Sequence, residues 1–248
     1  VLLKDKVAIV TGSAVGIGFG ISELFAREGA CVYMLDCDGA VNEAKAKRIK
    51  EQGGTVHPFL CDVANAGQVQ AAVTDAAERY GRIDILINNA GIYPRQSFLE
   101  ITEQQWDRMM EVNLKSLYHT CRSVLPHMIE QKAGKIVNIS SVTVWIGVAR
   151  LVHYVASKGG VLGFTRSLAR EVGPHNIHVN CVTPGAIKTE GEDVHANPDE
   201  ISDIVRRQAH NRRILPLDVA RVCLFLSCEL SDGMTGQALN VDGGLHMY

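Results

Sequence analysis

Short apolar runs alternate with amphipathic stretches along the whole chain. Residues 7–10, Val7-Ala8-Ile9-Val10, form an unbroken apolar run, and the same character returns at 31–35, 56–60, 83–87, 136–139, 177–182 and 239–241. Runs this short, bounded by glycine, proline or polar residues, read as strands buried on both faces. Between them the apolar spacing changes to three and four residues. Residues 18–28 place Ile21, Leu24 and Phe25 on one helical face, and helical patterns follow at 41–52, 67–80, 102–131, 154–172 and 216–230. Gly53-Gly54 ends the second of these. Strands apolar on both faces, each separated from the next by a helix, predict an α/β fold. The expectation is a doubly wound, mostly parallel sheet of about seven strands covered by helices on both sides.

No repeat, low-complexity tract or linker interrupts this alternation, so residues 1–248 are expected to form a single domain. One stretch differs in character. Residues 188–215 are rich in charge and lack a dense apolar pattern, which predicts an insertion lying over a site like a lid.

Composition narrows the classes. Apolar residues make up 46% and charged residues 21%, with a formal net charge of -2. That balance offers no basic surface for nucleic acid or an anionic membrane. No apolar run approaches the roughly 18 residues of a membrane span. The first residues carry no signal-peptide pattern, and a cytoplasmic location is expected. The seven cysteines are odd in number, scattered through core segments and free of C-x-x-C spacing. They read as reduced core thiols, and no metal site is expected.

Candidate chemistry begins after the first strand. Thr11-Gly12-Ser13-Ala14-Val15-Gly16-Ile17-Gly18 joins that strand to the first helix. Glycines there allow a tight turn and close approach of a pyrophosphate, and the helix start offers free N–H groups. This is the Rossmann arrangement of a dinucleotide site, with G-x-x-x-G-x-G in place of G-x-G-x-x-G. Asp36 ends the second strand, where an acidic group meets the adenosine ribose. A carboxylate accepts hydrogen bonds from both ribose hydroxyls and repels a 2′-phosphate, so NAD is favoured over NADP. The competing reading of Asp36 is a helix cap, since Asp38 is nearby.

Tyr154 and Lys158 are four residues apart at a helix start and share one face. A nearby ammonium favours the phenolate and lowers a tyrosine pKa from about 10. Such a couple moves a proton to or from an alcohol oxygen. Ser140 and Ser141 follow the strand at 136–139, where open α/β sheets place ligands. Either hydroxyl is placed to bond a substrate oxygen.

Taken together, these residues make the chain resemble the short-chain dehydrogenase/reductase family over essentially its whole length. The resemblance rests on Thr11 to Gly18, Asp62-Val63, Asn88-Asn89-Ala90-Gly91, Asn113, Ser140-Ser141, Tyr154-x-x-x-Lys158, Pro184-Gly185 and Asp242-Gly243-Gly244. It implies that Ser141, rather than Ser140, joins Tyr154, with Lys158 and Asn113 completing a proton relay. It implies a cofactor held by Gly12, Ser13, Gly16, Ile17, Gly18 and Asp36, by Asp62 and Val63 at the adenine, and by Asn89, Ala90 and Gly91. Tyr154 and Lys158 would face its nicotinamide end, with Pro184, Gly185, Ile187 and Thr189 around the carboxamide. The chain departs from the family pattern at Ile214, where a glycine is usual, and at Thr183, where asparagine is frequent.

The substrate is expected to be a small molecule, a secondary alcohol or its ketone, met by Tyr93, Trp145, Val148 and His153. Tyr93, Trp145 and Val148 would make a bulky, aromatic-walled pocket; His153 reads equally as a packing histidine. Within the family the alternatives are a 3-oxoacyl carrier-protein reductase, a sugar or polyol dehydrogenase, and a pyridoxal-type dehydrogenase. A non-enzymatic NAD-binding regulator is disfavoured, because the whole quartet is present. The resemblance also implies a dimer or homotetramer, paired through the helices at 102–131 and 154–172, with residues 245–248 near a neighbouring subunit.

Overall fold

A computed structural model describes residues 1–190 and 198–247. Its strands are β1 (Val7–Thr11), β2 (Cys31–Asp36), β3 (Thr55–Leu60), β4 (Ile85–Asn88), β5 (Gly134–Ile139), β6 (Ile177–Pro184) and β7 (Ala238–Val241). They form one sheet in the order β3-β2-β1-β4-β5-β6-β7. Every pairing is parallel, with Val7 opposite Cys31 and Ala8 opposite Ile85 at the centre. Pro58 removes a backbone donor, and it sits on β3, an edge strand, where that donor is not needed.

The helices are α1 (Gly16–Arg27), α2 (Gly39–Glu51), α3 (Ala66–Tyr80), α4 (Glu103–Met110), α5 (Ser116–Gln131), α6 (Thr143–Ile146), α7 (Val152–Val172), α8 (Pro198–Arg207) and α9 (Pro216–Leu226). Side chains alternate across a strand, so one apolar run feeds two cores. Val10, Val32 and Met34 pack with Phe25 of α1, Ile49 of α2 and Val219 of α9. Ile9, Tyr33 and Leu35 pack on the opposite face with Val73 of α3, Val124 of α5 and Val172 of α7. This two-sided burial explains why the strands read as continuous apolar runs and not as alternating ones.

The structure departs from the periodicity in three places. The helix expected over 102–131 is two helices joined by a wide turn, Glu111–Lys115. Ser116 and Thr120 turn their hydroxyls back onto the carbonyls of Val112 and Ser116, a pattern that bends helices. The last long helix stops at Leu226, and a separate turn spans Glu229–Ser231. The short α6 and the lid helix α8 were not legible as elements. Within the expected lid, residues 191–197 lie outside the described residues, as does Tyr248 at the end of the tail.

Fully buried Asn42 joins three elements. From α2 it donates to the Met34 carbonyl of β2 at 2.7 Å and accepts from the Ser13 hydroxyl of the β1–α1 turn at 3.0 Å. Asn42→Ala leaves both partners dry, and the expected loss of stability is about 2–4 kcal/mol in a denaturant melt. A change within about 0.5 kcal/mol, the ordinary surface range, would show that water replaces the amide.

Candidate active site

The strand order reverses between β1 and β4, so their connections leave on opposite faces and open a crevice at the carboxyl ends. The glycine turn is held against that crevice by side chains. Thr11 donates its hydroxyl to the Ile87 carbonyl and accepts from the amides of Asn89 and Ala90. Asn89 returns its amide to the carbonyls of Thr11 and Gly12. The fit leaves no room for a side chain: a Cβ on Gly12 would stand 2.8 Å from the Ala90 Cα, and one on Gly18 would overlap the Gly12 carbonyl. Gly16 has φ +56°, and Thr189 lies over it.

The start of α1 carries no side-chain cap and no acid in its first turn. Its free N–H groups and positive dipole end therefore point at the crevice without an internal anion, as a pyrophosphate requires. Ile17 packs into the core under this turn. Ser13 is turned inward: it is fully buried, its hydroxyl bonds Asn42 and its amide bonds the Leu35 carbonyl. Its hydroxyl thus braces the turn and does not face a ligand.

Asp36 stands beside the turn. One carboxylate oxygen accepts from the Ala14 amide and the other from the Asp38 amide, both at 2.9 Å. The helix cap is Asp38, which accepts from Val41. That separates the two acids: Asp38 starts α2, and Asp36 faces the crevice. Asp62 at the end of β3 accepts from Ala64 and pairs with Arg108 at 3.2 Å. Buried Val63 is held by His119, whose ring nitrogen meets its carbonyl at 3.1 Å. His119 carried no recognisable pattern in the sequence.

Three elements bring the proposed relay together. The end of β5 supplies both serines and the structure separates them. The Ser140 hydroxyl donates to the Lys158 carbonyl and is spent on α7. The Ser141 hydroxyl accepts from the Thr143 amide and hydroxyl, and it works to lower the Tyr154 pKa. Helix α7 begins before Tyr154 and places the Lys158 ammonium 5.8 Å from its ring centre, with Nζ donating to the Ile139 carbonyl at 2.8 Å. The wide turn after α4 supplies Asn113. Its amide donates to the Ile92 carbonyl and accepts from the Ile92 amide, both at 2.8 Å, and donates to Ser157 at 3.2 Å. Gly91 lets these groups close up: a Cβ there would lie 3.3 Å from the Asn113 Oδ1 and 3.4 Å from the Lys158 Nζ.

Burial dominates the electrostatics. It raises the Tyr154 pKa above its ordinary value, with Ser141 working against that and Tyr93 adding to it. It pushes Lys158 down to about 8. The expectation that the ammonium holds the tyrosine pKa down is therefore not met in the protein alone. Desolvation disfavours the charged form of each.

Beneath the relay lies a buried network with each side chain partnered. Thr120 donates to Asn88, Asn88 to Asn138, and Asn138 to Thr165, tying α5, β4, β5 and α7. Around the far side, Val142 bonds the Pro184 carbonyl and Gly185 packs on Asp242. Ile187 bridges Ile214, the bulky residue in place of a family glycine, and both are buried. Thr183, in place of the frequent asparagine, bonds Asn240 and the Leu239 carbonyl.

Of the four substrate candidates, Tyr93 has a ring contact with Tyr154. Tyr93 is half-exposed and meets Tyr154 edge-on, with ring centres 6.4 Å apart. Val148 is half-buried in the loop before α7. Trp145 stacks on His246 and packs on a cluster that includes Leu162 of α7. His153 is fully buried, and neither ring nitrogen has a hydrogen-bond partner. Burial lowers its pKa, which suits a neutral packing ring better than a ligand contact.

Asn113→Leu removes the double bond to Ile92 and strands both of its backbone groups. The expected cost is about 1–3 kcal/mol per stranded group, read in a denaturant melt. An unchanged midpoint would show that the Ile92 loop does not depend on Asn113.

A family model described as enoyl-(acyl carrier protein) reductase matches residues 12–246. A 3-oxoacyl-[acyl-carrier-protein] reductase FabG of Chlamydia pneumoniae is 40% identical over 245 residues, covering 99% of this chain and 98% of that protein. A probable galactose dehydrogenase GalD of Rhizobium meliloti is 36% identical, covering 98% and 96%. The crystal structure of a 3-oxoacyl-[acyl-carrier protein] reductase with bound NAD from Brucella melitensis superposes with a TM-score of 0.91 at 34% identity, covering 99% and 92%. A match that runs from the glycine turn to the C-terminal loop, on this strand order, admits one conclusion: the chain belongs to the short-chain dehydrogenase/reductase family.

Proposed function

We propose that this oxidoreductase is an NAD-dependent alcohol dehydrogenase, reversibly converting a secondary alcohol with a bulky or aromatic substituent to its ketone. The observation that carries the reading is the meeting of Ser141, Tyr154 and Lys158 beside the glycine turn, with the Tyr93 ring across the opening. The glycine cradle, the uncapped start of α1 and the Asp36 carboxylate fit a nicotinamide dinucleotide, with Asp62, Val63 and Asn89 to Gly91 towards its adenosine half. When bound, that cofactor supplies the hydride acceptor or donor. The protein's own work is proton chemistry and orientation. Ser141 donates to the substrate oxygen and holds it against Tyr154. Tyr154 takes the hydroxyl proton in oxidation and returns it in reduction. Lys158 is fixed by the Ile139 carbonyl with its ammonium towards the tyrosine, and Asn113 holds the Ile92–Tyr93 segment over the site. Residues 1–248 act as one catalytic domain, in the cytoplasm, as a dimer or tetramer.

The carboxylate at Asp36 supports NAD, and so does the NAD bound in the Brucella relative. A second reading, reduction of 3-oxoacyl carrier-protein thioesters, has the 40% identity to FabG in its favour; the galactose dehydrogenase likeness supports a sugar alcohol in the same way. A panel of aryl alcohols, sugars and acyl thioesters with each cofactor separates them. NAD is expected to exceed NADP in kcat/KM, and Asp36→Ala to erase most of the preference. Equal turnover with NADP in the unaltered enzyme would sink the assignment.

Oxidation needs the Tyr154 phenolate and reduction needs the phenol. Because burial raises this pKa, oxidation is expected to climb about tenfold per pH unit through the neutral range. Reduction should stay level there and fall only above the tyrosine pKa. Tyr154→Phe removes the proton carrier and should cost about 10²–10⁴ in kcat. Undiminished turnover by that variant would exclude the mechanism.

A further inference from the structure

Two cysteines sit where β2 and β3 run out. The last paired residues are Asp36 and Leu60, and the Cys61 amide still donates to the Asp36 carbonyl at 2.8 Å. That bond sets Cys61 against the peptide that joins Asp36 to Cys37. Tyr33 and Leu35 point to the α3 face of the sheet, and so do Phe59 and Cys61. Cys37 lies in the bend that follows β2 and is exposed, while Cys61 is buried, so the segment must turn for the thiols to meet. Neighbouring strands are about 4.8 Å apart, within the Cα separation of about 4.4–6.8 Å that a disulfide needs. Cys37 also adds to the upward push on the Cys61 thiol. Cys37 is exposed, and every other cysteine is buried.

We propose that Cys37 and Cys61 form a dithiol modification site for low-molecular-weight disulfides, whose closure disables the adenosine end of the cofactor site. The inference rests on the cofactor reading above. Cys37, being accessible, attacks the reagent first: its sulfur bonds one reagent sulfur, the reagent S–S bond breaks, and one thiol leaves. Cys61 then attacks the Cys37 sulfur, forms the Cys37–Cys61 bond and expels the second thiol. Two protein thiols are oxidised and the reagent is reduced to two thiols.

The surroundings set the rate and the consequence. Burial and the neighbouring Asp36 and Asp62 carboxylates keep both thiols protonated, with Cys61 raised to about 11. The pair is therefore slow and needs excess reagent. Cys37 lies between Asp36, whose carboxylate holds the Ala14 amide, and Asp38, which caps α2. Drawing Cys37 onto Cys61 turns this segment and takes Asp36 away from the glycine turn.

The test uses the full chain with excess oxidised glutathione. Digestion without reductant should yield a peptide pair joined through Cys37 and Cys61, two hydrogens lighter than its parts. A titration of the treated protein with NAD should show at least about a tenfold weaker Kd, restored by dithiothreitol. NAD added beforehand should slow the cross-link. Cys61→Ser should stop at a glutathione adduct on Cys37. Cys37→Ser should keep its own untreated NAD affinity through the treatment. A stable adduct on Cys37 of the unaltered protein with no cross-link overturns the proposal, as does a cross-link with unchanged affinity. If the untreated protein binds no NAD, the cofactor reading fails instead, and the peptide mass still decides whether the dithiol closes.

Discussion

Everything in the site depends on the reversal of strand order between β1 and β4. A parallel sheet needs a crossover after each strand, and right-handed crossovers on either side of the reversal leave on opposite faces. The carboxyl ends of the central strands are then left with no covering chain. That is why Gly12, Asn89 and Ser141 reach one crevice although they come from distant segments. The same geometry sets how closely the backbone must approach itself. Glycine at 12 and 18 is a steric requirement, since Gly18 packs on the Gly12 carbonyl and Gly12 on Ala90.

The polar groups beneath the crevice divide into two kinds. Asn42, Asn88, Asn138, Thr120 and Thr165 are buried with every contact internal, and they make the scaffold stiff. Lys158 is buried and Tyr154 half-buried, and desolvation disfavours the charged form of each. The distinction also explains why Ser140 and Ser141, adjacent and chemically alike, differ in role. One hydroxyl is consumed by the α7 backbone and the other stays with the tyrosine.

Most of the fold was legible in the sequence because a two-sided parallel sheet leaves a strong pattern. Each central strand is apolar throughout, and each helix between strands shows one apolar stripe. The elements that were not legible are those that tertiary contacts impose. The wide turn at Glu111–Lys115 follows from hydroxyl groups folding back on the helix, which no apolar spacing records. Asn113 was found through family resemblance, and its bonds to Ile92 join residues that no local pattern relates. Trp145 looked like a pocket wall by position, yet helix geometry turns it to His246.

The amino-acid sequence by itself determined the α/β class, the glycine turn, the acidic end of β2 and the tyrosine–lysine pair, because each is a local pattern with a local cause. Only the tertiary structure decided that Ser140 is spent on the α7 backbone, that Asp38 and not Asp36 caps α2, that Ser13 points inward, and that Trp145 stacks on His246. The physical reason is common to all four. A side chain's role depends on which way the finished packing turns it, and that direction is set by neighbours far away in the chain.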